Sequence, residues 1–170
     1  YTTLFRSHIF ANAILSPSYI SFETALKLHG MIEGDERVFT SATKQQNKHK
    51  TFVNHYGEYR YQDVPEQVYS KGIYYQSENG NILLIATKEK ALCDLLYKAD
   101  SILSIKRLKL YLFQEIKLDE DEIWGLNLDQ ILALCPLYKS RSLNTFEAFI
   151  RDHLGLPKTS KTNENKKKRT

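Results

Sequence analysis

Hydrophobic positions along this chain change period twice, from helical spacing to alternation and back again. Residues 8–15 read as a short helix, halted by Ser16-Pro17-Ser18. Ser21 is placed to cap a second helix, whose apolar positions Phe22, Ala25, Leu26 and Leu28 lead to Gly30, a residue suited to the left-handed position after a helix. The middle of the chain alternates instead. Residues 38–42, 50–54 and 59–64 read as strands, with a polar basic loop at 43–49 and a turn at 55–58. Residues 72–76 and 82–85 predict a hairpin, because Asn79-Gly80 sits in the short connection between them. The apolar run Ile82-Leu83-Leu84-Ile85-Ala86 suits a strand buried on both faces. It feeds directly into a helix that Thr87 caps, with Glu89 in the first turn and Ala91, Leu92, Leu95 and Leu96 forming one apolar stripe.

Beyond residue 100 the pattern is helical. Residues 105–116 carry Ile105, Leu108, Leu112 and Phe113 on one side and Lys106, Arg107 and Lys109 on the other. An acidic helix start is expected at 119–122, a helix at 127–134 halted by Pro136, and another at 144–154 ended by Gly155-Leu156-Pro157. The predicted class is α+β: a small antiparallel sheet with flanking helices, a helical C-terminal part and a disordered basic tail. Residues 16–156 are expected to form the domain, with 157–170 as the tail and 1–15 set apart from the fold.

Charge sharpens that division. The net charge is +4, but six of the 24 Lys/Arg and one of the 20 Asp/Glu fall in residues 157–170. The other 156 residues keep 18 basic and 19 acidic side chains, so the body is close to neutral. Attraction to phosphate is therefore a matter of local patches and of the tail. The two cysteines, Cys93 and Cys135, show no CxxC or Cys/His spacing, which argues against a structural zinc or disulfide framework and fits a cytoplasmic setting. No apolar run reaches the roughly 18 residues needed to cross a bilayer. Tyr1 to Ser7 resembles the translation of a sequencing adapter, so residues 1–7 are expected to be non-native.

Candidate chemistry is sparse. The basic residues Lys44, Lys48, His49 and Lys50, with Arg60 on a neighbouring strand, can lie along a phosphate backbone, and Tyr56, Tyr59 and Tyr61 can stack or hydrogen-bond beside them. Lysines supply point charge, so such contacts position nucleic acid without reading bases. Lys166, Lys167, Lys168 and Arg169 add non-specific attraction from the tail. Asp63, Glu66, Glu89 and Lys90 raise the alternative of a metal-dependent nuclease, but they lack two carboxylates and a lysine on adjacent strand positions. The five histidines form no HxH or HExxH pair, and neither a Gly-rich phosphate loop nor a serine elbow is present. No metal or cofactor and no catalysis are expected. The acidic run around Asp119, Glu120 and Asp121 can face a basic partner or simply favour a helix N-terminus.

Four segments, in order, resemble the AbiEi-type antitoxins. They are Ser16-Pro17-Ser18-Tyr19-Ile20-Ser21-Phe22-Glu23-Thr24-Ala25-Leu26 with His29-Gly30; Val38-Phe39-Thr40-Ser41-Ala42-Thr43 with Thr51-Phe52; Gly57-Glu58-Tyr59-Arg60-Tyr61 with Gly72-Ile73; and Ile85-Ala86-Thr87-Lys88-Glu89-Lys90-Ala91-Leu92-Cys93-Asp94-Leu95-Leu96. The second segment resembles the family's first hairpin. Together they span about residues 14–100. The loop at 43–49 departs from the family in holding Gln, Asn and Lys where Thr and Arg are usual, and Lys88 stands where Pro is common. The resemblance implies an antitoxin and transcriptional autoregulator of a bacterial type IV toxin–antitoxin (abortive infection) system. Its partners would be the promoter DNA of its own operon and a nucleotidyltransferase-like toxin, with no membrane. Family members commonly carry a winged-helix domain ahead of this region, and residues 8–15 are expected to be its remnant or linker. A non-DNA-binding interaction module remains an alternative reading.

Overall fold

The computed structural model describes residues 2–47 and 49–159. Helix α1 (Thr2–Ile14) precedes a two-residue strand β1 (Tyr19–Ile20), helix α2 (Phe22–Leu28), and strands β2 (Val38–Thr43), β3 (His49–Asn54) and β4 (Gly57–Asp63). A single helical turn α3 (Glu66–Tyr69) leads to β5 (Ile73–Glu78), β6 (Asn81–Ala86) and α4 (Lys88–Lys98). The remainder is helical: α5 (Ile105–Lys109) running into a π-helical stretch (Leu110–Glu115), α6 (Glu120–Trp124), α7 (Leu128–Leu134), a 3₁₀ turn (Cys135–Tyr138) and α8 (Arg141–Leu154). The class is α+β, as the periodicity indicates.

The six strands lie in the order β3-β4-β2-β1-β6-β5. The sheet is mixed rather than antiparallel, since β2 pairs parallel with β4 and β1 parallel with β6. Nor do β2 and β3 form a hairpin. The chain leaves β2, runs out to the edge as β3, and turns back so that β4 lies between them. Burial explains this order. In β4, Tyr59 and Tyr61 are buried, whereas every residue of β3 is exposed, so β4 takes the inner place and β3 the edge. Strand β6 also differs from expectation. Leu83 and Ile85 face inward, while Ile82 and Leu84 face solvent, so the run is buried on one face only. Two elements carried no readable period, the two-residue β1 and the four-residue α3.

The cap predicted at Thr87 holds, and two expected helix starts prove to be capped as well. Thr87 accepts from the Lys90 N–H, Asn127 from the Gln130 N–H, and Asp119 from the Asp121 N–H. Asn79 and Gly80 have φ of 50° and 80°, the two left-handed positions of a type I′ hairpin turn. The helix expected at 105–116 exists, but its second half is π-helical. Helix α8 starts ahead of the expected Asn144, at Arg141, and buries Leu143, Phe146, Phe149 and Ile150. Each such side chain contributes about 1.5–3 kcal/mol of burial. Residues 8–14, read as a remnant or linker, are packed into the fold: Tyr61 donates to the Ala11 carbonyl at 2.5 Å, and the His8 ring stands edge-on to Phe39 at 5.1 Å.

Candidate functional site

Two sets of polar residues stand out, one on the surface and one in the core. On the surface, the basic positions near β3 and β4 do not make one patch. Cross-strand partners share a face of the sheet. The register sets Thr51 opposite Arg60 and His49 opposite Gln62, but Lys50 opposite Tyr61. His49 and Arg60 therefore lie on one face and Lys50 on the other. Arg60 donates to Glu58 at 3.0 Å, and Lys44 is half-buried with its Nζ 5.1 Å from the centre of the Tyr69 ring. Tyr59 and Tyr61 are core residues that no base can reach, while Tyr56 packs against Phe10 and His55. A trough of about 160 Å³ opens beside Arg60, with His49, Lys50, Thr51, Arg60 and Lys98 among its lining, so Lys50 reaches it from its own side of β3. Lys98, which sequence reading passed over, donates to Glu23 at 2.6 Å there. Lys48 and the run Lys166, Lys167, Lys168 and Arg169 lie outside the described residues.

The nuclease-type residues also part company. Asp63 accepts from the Thr43 hydroxyl and the Gln46 N–H, Glu66 from Gln45, and Glu89 from the Asn127 N–H. Among the described residues, no group of three or more His, Cys, Asp or Glu is placed to hold a metal ion. None of their helices is long and apolar enough to cross a membrane.

The core set is more ordered. Asp94, on α4, has no exposed surface, yet its carboxylate accepts from three hydroxyls: Tyr19 at 2.8 Å, Ser21 at 2.7 Å and Tyr138 at 2.5 Å. Lys90, one turn earlier and equally buried, approaches Asp94 at 3.4 Å and donates to the Val68 carbonyl at 2.5 Å. Its ammonium also lies 5.2 Å from the centre of the Tyr138 ring and 5.7 Å from that of Tyr19. Burial pulls the Lys90 pKa below its ordinary value, with Asp94 opposing. Burial, reinforced by the Asp94 charge, holds the Tyr19 and Tyr138 hydroxyls well above theirs.

Local backbone geometry serves this centre. Ser21 follows β1 and is the N-cap residue of α2, but its hydroxyl goes to Asp94 and makes no cap bond. Phe22, the next residue, takes φ of 55°, rare for an aromatic side chain and a cost of order 1–3 kcal/mol. Gly72 has φ of 68°, and a Cβ there would meet the Lys90 Cβ at 2.8 Å, so only glycine lets the chain pass this close to α4. Gly57 is equally constrained, since a Cβ would lie 2.2 Å from the Arg37 carbonyl oxygen.

The sequence signal for this centre was available. Ala91, Leu92, Cys93, Leu95 and Leu96 cover more of α4 than a single stripe, and a helix apolar all round is buried all round. Lys90 and Asp94, at i and i+4 within it, are then a buried pair. Tyr138 carried no such signal. With zero exposure at Lys90 and Asp94, the arrangement joins β1, α2, α4 and the 3₁₀ turn rather than opening to a substrate.

No known protein family matches this chain, and no curated protein matches it.

Proposed function

We propose that this chain is an antitoxin and DNA-binding autoregulator of a type IV toxin–antitoxin system, countering a nucleotidyltransferase-type toxin and working by binding rather than catalysis. The observation that carries the reading is how the segments resembling AbiEi-type antitoxins assemble. They supply residues to all six strands, and two of them, some 75 residues apart, meet where Tyr19 and Ser21 donate to Asp94. Gly57 and Gly72, both quoted in the resemblance, are the described glycines where an added Cβ would come within 3.0 Å of a neighbouring atom. The residues that carry the likeness are thus those on which this architecture depends.

In this reading Lys44, His49, Lys50 and Arg60 meet DNA phosphates from the β3–β4 end of the sheet, with Lys48 and the 166–169 run as further cations. Their separation over two faces fits contacts that position a duplex more than contacts that read it. The test is fluorescence anisotropy of the chain on its own upstream DNA and on a scrambled duplex, at low and physiological salt, with and without residues 158–170. Preference for the upstream DNA that survives removal of 158–170 is expected. Equal binding to both duplexes, abolished by salt or by that truncation, would sink the autoregulator reading for this region. Growth rescue on co-expression with the neighbouring toxin tests the antitoxin half separately.

A further inference from the structure

We infer that the free edge of β5 is a self-association site, where a second copy of this chain pairs antiparallel about a two-fold axis at Tyr75 and continues the sheet. The inference stands on the sheet alone and does not depend on DNA or toxin binding. Strand β5 ends the strand order, so among the described residues one side of its backbone has no neighbouring strand. Hairpin geometry says which groups lie there. The two-residue turn at Asn79-Gly80 is closed by the hydrogen-bonded pair Glu78 and Asn81. Pairs then alternate, so Gln76 and Tyr74 bond inward to β6, while Ser77, Tyr75 and Ile73 direct N–H and C=O outward. An independent contact agrees: the Leu84 N–H, opposite Tyr75, points away from β5 and is taken by the Asn12 side-chain oxygen at 2.9 Å.

The outward groups are self-complementary. Pairing about Tyr75 sets Ile73 against Ser77 of the second copy and Tyr75 against its own counterpart, all in hydrogen-bonded positions. Residues 73–77 carry no charge, so no like charges oppose one another. The faces match as well. Tyr75, Ile82 and Leu84 share one face of the hairpin and are 68%, 60% and 38% exposed. Beside the axis, the two copies bring these side chains together into one apolar surface, the isologous contact expected of a two-fold dimer. The opposite edge contrasts. Strand β3 carries His49 and Lys50 and follows a basic loop, so self-pairing there would gather like charge.

The test is sedimentation velocity and light scattering of the full chain over a wide range of concentrations. A species of twice the 19.8 kDa chain mass is expected, with no larger assembly. Ser77→Pro removes an N–H directed to the free edge and leaves the β6 ladder intact. Tyr75→Lys places two cations at the axis. Each is expected to give monomer with unchanged circular dichroism and the urea midpoint that the parent chain shows when diluted to monomer. Tyr75→Cys is expected to yield an oxidised, covalent dimer, since Cys93 and Cys135 are both buried. Monomer at every concentration would overturn the inference. So would a dimer that persists in both Ser77→Pro and Tyr75→Lys, or one lost on Thr51→Pro in β3 and kept on Ser77→Pro.

Discussion

Charged side chains at the α4 end of the sheet and those along the β3–β4 edge are held by different physics. Lys90 and Asp94 have lost all water and are stable only because hydroxyls, a carbonyl and two aromatic rings replace it. Arg60 and Glu58 sit in solvent, where a pair at 3.0 Å gains little. The buried pair constrains many elements at once, whereas the exposed pair constrains almost none. Residues of the first kind determine whether the fold forms. Residues of the second kind are free to be spent on a partner.

The sharpest way to break that contrast is Asp94→Ala. It strands the Lys90 ammonium and removes the acceptor for three hydroxyls, an expected loss of about 3–5 kcal/mol in urea unfolding. A loss below about 1 kcal/mol would mean that water enters the site. Tyr138→Phe removes one charge-assisted bond and keeps the ring, so about 1.5–3 kcal/mol is expected by the same measurement. Alkaline pH probes the centre without mutation. The folded-state pKa values of Tyr19 and Tyr138 are raised, so their contribution is whole below the ordinary value of 10.0 and is lost as pH climbs above it. Each tyrosine is expected to remove about 1.4 kcal/mol per pH unit in that range. Lys90 has the opposite sign. Its lowered pKa makes its own contribution rise with pH until the unfolded lysine titrates near 10.5, but two tyrosines outweigh one lysine above 10.0. Urea midpoints across this range, compared with Tyr19→Phe, would show a shallower decline in the variant. The smallest effect belongs to the other region: Arg60→Ala is expected to cost about 0.5 kcal/mol or less. In the anisotropy assay it should weaken DNA binding and reduce the salt slope if Arg60 meets a phosphate.

Much of the fold was legible because local chemistry and tertiary need agreed. Thr87 caps α4, Asn79-Gly80 turns the β5–β6 hairpin, and Gly155, at φ of 67°, ends α8 as its position suggested. What escaped was set by distant partners. Nothing local tells β4 to enter between β2 and β3, because that order follows from Tyr59 and Tyr61 being the better residues to bury. Ser21 looked like a helix cap and proved to be an Asp94 ligand, since its other partner lies 73 residues away. At the candidate DNA surface, the basic positions could be counted from the sequence. Their split over two faces could not, because it depends on the register of β3 against β4.

The tie between Asp94 and Tyr138 also bears on how the protein is made. Tyr138 follows Asp94 by 44 residues. At about 5–20 residues per second, a ribosome needs some 2–9 s to add that stretch. Once Asp94 has left the ribosome, its carboxylate lacks one of its three hydroxyl donors until Tyr138 has followed. The first half of the chain therefore waits on the second. The codons translated while that stretch emerges set the length of the wait, and with it the time the unfinished core is open to chaperones and proteases.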